Sequence, residues 1–378
     1  MRSFAVFAAQ DDGGRRRLFL AAGAAMFVFG ITLAALGALF GMAEVRARIH
    51  VDLAQQGDIF LTLYFGVFIS TIIVGPVIDS FGNKIVLTVS ACLVVAGLLG
   101  FSVAQSFSPA LVSAFILGFG GGGLNTASNA LVADLYPDNR GRMLNLLGVF
   151  YGCGAVLIVS SSKYLLPVGM TLAAICAVAY LVLPFPQPKE AVGFSLFASV
   201  RAAKYPMVMV FAALLFCESG NESAIGSWTS TYTGSNAILA AYWGGLMIGR
   251  VLGAKIVAYI RKERLVFISG IGSAIGTAVL VASESLITMA VGAVIVGLSF
   301  AAIYPTTLAI AADRYERLAG TIFGLLFATG LLGAMAFPWI IGQMSELFGL
   351  RAGMMLPLIG AVLIVALVSV ISRQTEEP

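Results

Sequence analysis

Long apolar runs follow one another along this chain and are separated by short polar connections. Most runs contain about 20 residues, enough for one helix to cross a bilayer core about 30 Å thick. The runs are continuous rather than alternating at every second position, so they predict helices and not the strands of a barrel. We place twelve membrane-spanning segments, called spans 1 to 12, at residues 18–42, 58–78, 85–104, 110–133, 143–162, 167–184, 207–231, 237–259, 265–283, 286–312, 320–341 and 353–371.

One connection is longer than the others and contains several prolines. The stretch from Pro184 to Pro206 also carries Lys189, Arg201 and Lys204, which makes it polar as well as irregular. It predicts a seam between two six-helix halves, with the N-terminal half at 1–183, a cytoplasmic linker at 184–206 and the C-terminal half at 207–378.

An internal repeat supports the two halves. Residues of spans 2 and 3 recur in spans 8 and 9 at an offset of 178, and residues of span 4 recur in span 10 at an offset of 179. Parallel repeats of six helices are one of the known designs of secondary transporters. The matched residues are Tyr64-Phe65-Gly66 with Tyr242-Trp243-Gly244, Lys84 with Lys262, Gly118 with Gly297, and Asp134 with Asp313.

Composition agrees with a membrane protein and narrows its chemistry. Of the 378 residues, 60% are hydrophobic and only 11% are charged, against about 25% charged in soluble domains. The single histidine, His50, leaves no histidine and cysteine cluster, so no metal or cofactor is predicted. The chain also lacks a nucleophile with a nearby base, which argues against an enzyme. Its basic residues lie in short loops, which indicates membrane topology rather than nucleic-acid binding.

The basic residues define an orientation. Seventeen of the 22 lysines and arginines fall on the side of the termini, four fall on the other side, and Arg250 lies within a span. Cytoplasmic loops carry the excess of lysine and arginine. We therefore expect a plasma (inner) membrane protein, a monomer, with both termini in the cytoplasm.

The loop between spans 2 and 3 reads Gly75-Pro-Val-Ile-Asp79-Ser-Phe-Gly82-Asn-Lys84. It resembles the loop signature of the major facilitator superfamily, and the resemblance covers essentially the whole chain. The expected fold is therefore an all-α membrane protein of twelve helices in two repeated halves. Gly75 would allow close helix approach, Gly82 would permit a sharp turn, and Asp79 would pair with an arginine at a cytoplasmic gate. The alternative is an ordinary polar loop.

Two further charge clusters follow spans 4 and 10. Asp134, Arg140 and Arg142 form one, and Asp313 and Arg317 form the other. Exposed pairs stabilise little, so we interpret these residues as gating residues whose contacts form in one conformation and break in the other. Asp79, Lys84 and Arg250 are predicted gating residues as well. Solvated loop charges are the alternative.

Span 7 carries two acids inside the membrane. At 100° per residue, Glu218, Asn221 and Glu222 fall within one arc, with Trp228 at its edge. A charge near a helix centre costs about 2.5–3.5 kcal/mol, so both glutamates are expected to face a water-filled cavity. The alternative is that span 7 begins later and that these groups lie at its extracellular end.

The pattern Glu222-x3-Gly226-x-Trp228-x3-Tyr232 is similar to span 7 of the fucose/glucose/galactose permease branch, a group of sugar–cation symporters. Spans 4 and 5 agree with the resemblance. Amides offer both a donor and an acceptor to sugar hydroxyls. Tyr304 occupies the repeat position of Asn125. The predicted substrate-binding residues are Asn125, Asn129, Asn145, Tyr151, Asn221, Glu222, Trp228 and Tyr304.

The chain departs from that branch at the coupling residues. Span 1 has no carboxylate, and Asn125 occupies the position of the span-4 glutamate. Coupling is then expected at Glu222 and Glu218, with Arg250 either pairing with them or extending to the membrane interface. We expect a proton-coupled sugar carrier. The alternatives are facilitated diffusion, sodium coupling, export of amphiphilic solutes, or a channel.

Overall fold

The computed structural model describes residues 12–186, 204–315 and 319–376, and its regular structure is helical throughout these ranges. Short 3-10 turns precede the fifth and sixth helices. The α-helices are α1 Asp12–Phe40, α2 Ala43–Ile49, α3 Leu53–Val103, α4 Phe107–Leu135, α5 Arg140–Ser160, α6 Leu165–Val182, α7 Pro206–Thr233, α8 Asn236–Ile256, α9 Lys262–Ala282, α10 Leu286–Arg314, α11 Ala319–Phe348, α12 Leu350–Gly353 and α13 Leu356–Glu376.

The described residues contain 11 helices that are long and apolar enough to cross a membrane. One of them, α3, has 51 residues and holds two spans, because the backbone leaves the helical region at Gly82. Gly82 has φ +80°, a conformation open to glycine and strained for other residues. The twelve predicted spans and the turn at Gly82 are therefore confirmed.

The predicted close helix contact at Gly75 is wrong. A Cβ atom added there would meet no described atom within 4 Å. The neighbouring Pro76 is exposed, and Ile72 and Ile73 on the preceding turn are exposed as well. Val74 on the same turn is buried, so the lack of a tight contact among the described residues is confined to the side of α3 on which Gly75 lies.

The chain divides into two compact units. Unit 1 comprises Met1–Ala35 and Thr62–Phe194, and unit 2 comprises Leu36–Leu61 and Ser195–Pro378. The end of α1 and the beginning of α3 thus belong to unit 2. The predicted linker lies largely outside the described residues, so its cytoplasmic position stays a prediction.

Equivalent glycines make equivalent contacts in the two units. In unit 1, a Cβ added at Gly66 would lie 2.5 Å from the carbonyl oxygen of Phe115. In unit 2, a Cβ added at Gly245 would lie 2.7 Å from the carbonyl oxygen of Val294. The two pairs are related by an offset of 179, the offset at which span 4 recurs in span 10. The structure therefore matches Gly66 with Gly245, whereas the sequence repeat matched it with Gly244. Both glycines let two helix backbones approach closely, as small residues do in membranes.

The beginning of α3 is hydrogen-bonded to α11 within unit 2. The indole nitrogen of Trp339 donates to Asp58 Oδ1 at 3.0 Å, and the backbone nitrogen of Leu53 donates to Glu346 Oε2 at 3.2 Å. Gly57 and Gly342 permit this approach, since a Cβ on Gly57 would lie 3.1 Å from the Cα of Gly342. The contact fixes the start of α3 on unit 2.

Candidate functional site

Unit 2 contains a buried acid, the Glu218 side chain on α7. Only 1% of its surface is exposed, although the sequence predicted that both glutamates face water. That expectation is wrong for Glu218. Helix α11 encloses this turn of α7, and a Cβ at Gly330 would lie only 3.1 Å from Ser219 Oγ. The Ser219 hydroxyl donates to Glu218 Oε2 at 3.0 Å.

Three other groups complete the polar cluster around Glu218. Glu222, one turn along α7, is partly exposed. Arg250 of α8 and Glu222 both act electrostatically on Glu218. Both glutamates act electrostatically on Tyr304 of α10, whose ring lies 6.0 Å from that of Phe327. The cluster can hold charge and can offer hydroxyl and carboxylate groups to a ligand.

Asn221 faces a different neighbour. Its side chain is completely buried and packs against Gly360 of α13. Neither its amide nitrogen nor its amide oxygen has a hydrogen-bond partner among the described residues. Since buried polar atoms are normally paired, this amide is the least satisfied group of α7.

Trp228 is fully buried near the end of α7 that follows the acids. Its indole nitrogen donates to the carbonyl oxygen of Pro338 in α11 at 2.9 Å. Its ring packs edge-on against Phe60, with 5.5 Å between ring centres. In this conformation Trp228 joins α3, α7 and α11 of unit 2, and its N–H is already occupied.

In unit 1, α4 brings two predicted residues together. The Asn129 side-chain nitrogen donates to both the backbone oxygen and Oδ1 of Asn125, each at 2.9 Å. Both amides are partly exposed, and the same nitrogen lies 4.0 Å from the sulfur of Met26 in α1. The helical spacing of four residues, visible in the sequence, accounts for this pair.

The two predicted residues of α5 lie in different surroundings. Asn145 is exposed near the start of the helix. Tyr151 is buried, and its ring lies 5.5 Å from that of Phe29 in α1. Asn145 is therefore open to solvent or lipid, whereas Tyr151 is part of the packing between α1 and α5.

The predicted gating residues lie at helix ends. Asp313, at the end of α10, forms an ion pair with Lys262, at the start of α9, and both belong to unit 2. The repeat relates this pair to Asp134 and Lys84 of unit 1. Asp79 and Lys84 are partly exposed, Asp134, Arg140 and Arg142 are exposed, and Arg317 lies outside the described residues.

Sequence reasoning missed the small residues of the unit 2 cluster. Ser219 lies off the predicted arc of α7, yet it supplies the hydrogen bond to Glu218. Gly330 and Gly360 shape the space around Ser219 and Asn221 from α11 and α13. Only a knowledge of which helix faces which residue could have identified them. Among the described residues, no group of three or more potential ligands could hold a metal ion.

Twelve apolar spans, a two-fold repeat of helix contacts and buried polar groups within the spans are the features of a polytopic membrane protein. Residues 18–236 match the family model of the Major Facilitator Superfamily, which is more than half of the chain. The chain belongs to the Major Facilitator Superfamily. It is an integral membrane protein.

Two relatives illustrate its place in the family. The MFS-type transporter YfiU of Bacillus subtilis is 29% identical over 222 residues, which are 53% of this chain and 43% of YfiU. The match therefore spans less than half the length of that relative. The sodium-dependent glucose transporter 1 of Xenopus laevis is 20% identical over 370 residues, which are 84% of this chain and 74% of the frog protein.

Solved structures support the fold over nearly the whole length. The inward-open xylose transporter XylE from E. coli gives a TM-score of 0.76 at 13% identity, over 93% of this chain and 95% of XylE. The E. coli fucose:proton symporter FucP gives 0.62 at 19% identity, over 93% and 98%. These identities support the fold alone.

Proposed function

We propose that the chain is a secondary active carrier of a neutral, monosaccharide-sized solute, coupled to a proton. The observation that carries this proposal is the polar cluster of unit 2. Glu218, Glu222, Arg250 and Tyr304 lie together inside the membrane spans, where charged groups are costly and usually serve function. The cluster offers hydroxyl, carboxylate and guanidinium groups, which suit a polyhydroxylated ligand.

The amide pair of unit 1 offers a second set of groups for hydroxyls. Asn125 and Asn129 are partly exposed, and each amide contains both a donor and an acceptor. We propose that they also bind the solute. The names of the relatives, a glucose transporter, a xylose transporter and a fucose:proton symporter, support a sugar as the first solute to test.

The test is transport by purified protein in liposomes. Counterflow of labelled monosaccharides would identify the solute, and uptake driven by a pH gradient would demonstrate proton coupling. Uptake that responds only to sodium would show that sodium, and not a proton, is the coupling ion, the alternative suggested by the name of the frog relative. Uptake that responds to neither gradient would indicate facilitated diffusion. If no labelled monosaccharide exchanges, the proposal that the solute is a sugar is wrong.

We further propose that the protein lies in the inner membrane as a monomer with both termini in the cytoplasm. The support is the distribution of basic residues, seventeen on the side of the termini and four on the other. A single cysteine at position 187, outside the described residues, should resist an impermeant thiol reagent added to intact cells. Ready labelling from outside would contradict this orientation.

A further inference from the structure

The two carboxylate oxygens of Glu218 differ in their hydrogen bonding. Oε2 accepts the hydrogen bond from Ser219, whereas Oε1 is buried and has no hydrogen-bond partner among the described residues. An ionised carboxylate has about four lone-pair sites to satisfy. The single hydrogen bond from Ser219 leaves most of these lone-pair sites without a donor, and the side chain is too buried for water to supply one. A protonated carboxyl group tolerates such surroundings far better.

The charged and polar groups that face Glu218 come from the helices packed against α7 and from α7 itself. The helices α8, α10, α11 and α13 all pack against α7. Helix α8 contributes Arg250 and helix α10 contributes Tyr304. Helices α11 and α13 contribute the glycines Gly330 and Gly360, which lie beside this segment of α7.

Glu222 is the remaining acid of the cluster, on α7 itself. Two ionised glutamates one turn apart repel each other, and one arginine can balance only one negative charge. The partly exposed acid, Glu222, is the one that water can stabilise in its ionised form. Glu218 is then the acid that remains neutral.

We infer that Glu218, rather than Glu222, carries the coupled proton, and that it is protonated in the conformation described here. This inference rests on the proposed proton coupling and assigns it to one side chain. Glu222 is left ionised, as an acceptor for solute hydroxyls. Release of the proton requires a conformation in which Glu218 gains water or a second hydrogen-bond donor, so protonation and conformation are linked.

The decisive variant is Glu218→Gln, which has the shape of the protonated acid and can still accept the hydrogen bond from Ser219. We expect proteoliposomes with this variant to retain measurable counterflow but to lose accumulation driven by a pH gradient. Glu284→Gln is the matched control, because Glu284 is exposed between α9 and α10. Glu222→Gln should instead weaken solute affinity about tenfold to a hundredfold and keep accumulation at saturating solute.

Ser219→Ala provides a second test if Glu218→Gln folds poorly. The Ser219 hydroxyl stabilises the ionised form of Glu218, so its loss favours the protonated form. The pH profile of accumulation should then move by about half to one pH unit toward alkaline pH. An unchanged profile would count against Glu218.

The outcomes separate this inference from the proposed function. If the wild-type protein responds to a pH gradient and Glu218→Gln still accumulates solute, Glu218 is not the carrier and proton coupling stands. If uptake by the wild-type protein does not respond to the pH gradient, both the proposed proton coupling and its assignment to Glu218 are wrong.

Discussion

The contact between Asn221 and Gly360 allows a quantitative test of how α7 is packed. A Cβ atom on residue 360 would lie 2.9 Å from both Cγ and Nδ2 of Asn221. That separation is shorter than real Cβ contacts, so Gly360→Ala must displace the amide or separate α7 from α13. Asn221 is completely buried, which leaves its side chain little space to move.

The expected magnitude follows from two effects. Forcing an extra carbon into a well-packed interior typically costs about 1–3 kcal/mol. The Asn221 amide itself has no hydrogen-bond partner among the described residues, and burying such a group costs about 1–3 kcal/mol. Asn221→Ala removes this unpaired amide together with its packing contacts, so this variant alone should have nearly the stability of the wild-type protein. Combined with Gly360→Ala, it should restore most of the lost stability, with a coupling energy of about 1–3 kcal/mol.

The assay is thermal unfolding of the purified variants in detergent, together with solute affinity from counterflow. Gly244→Ala in α8 is the matched control, because a Cβ there would meet no described atom within 4 Å. The packing argument fails if Gly360→Ala is as stable as Gly244→Ala, or if Asn221→Ala does not restore it. A tenfold loss of affinity in Asn221→Ala, with stability unchanged, would place this amide at the solute instead.

Three other substitutions test the remaining residues. Trp228→Phe should lower stability by about 0.5–1.5 kcal/mol, because it removes the hydrogen bond from the indole N–H to a carbonyl oxygen of α11, and should change solute affinity little; the reverse pattern would assign the indole to the solute. Asp313→Asn should change thermal stability by less than about 1 kcal/mol, since its pair with Lys262 is largely exposed, but should alter the thiol accessibility of the two membrane faces if the pair gates transport. Asn125→Ala and Asn129→Ala should each weaken affinity about twofold to tenfold, because the solute replaces a hydrogen bond that the two amides already make with each other; unchanged affinity for every transported sugar would show that they serve packing only.

The sequence was sufficient for the number and order of the spans, because membrane-spanning length and continuous apolarity leave few alternatives. It also located the turn at Gly82, where a glycine lies between two apolar runs. It failed at Gly75, because a glycine motif does not reveal whether another helix lies opposite. That outcome depends on tertiary packing, which no local pattern records.

The same limit applies to the polar cluster. The helical arc placed the two acids of α7 on one face, but it assigned them the same exposure. The structure buries Glu218 and leaves Glu222 partly exposed, and the small residue Gly330 of α11 lies against Ser219 beside the buried acid. The pairing of Asn129 with Asn125 could be predicted from the sequence, because it depends only on helical spacing.

The hydrogen bond between these two asparagines has a kinetic consequence for any solute that binds there. The Asn129 side-chain nitrogen already donates to Asn125 at 2.9 Å, so an arriving hydroxyl exchanges one partner for another. The net gain of such an exchange is about 0.5–1.5 kcal/mol, far less than a bond formed from unpaired groups. Dissociation then restores the amide pair and is correspondingly fast. A carrier completes a cycle only when its solute dissociates. Because the two amides can hydrogen-bond to each other again, their pairing speeds that dissociation.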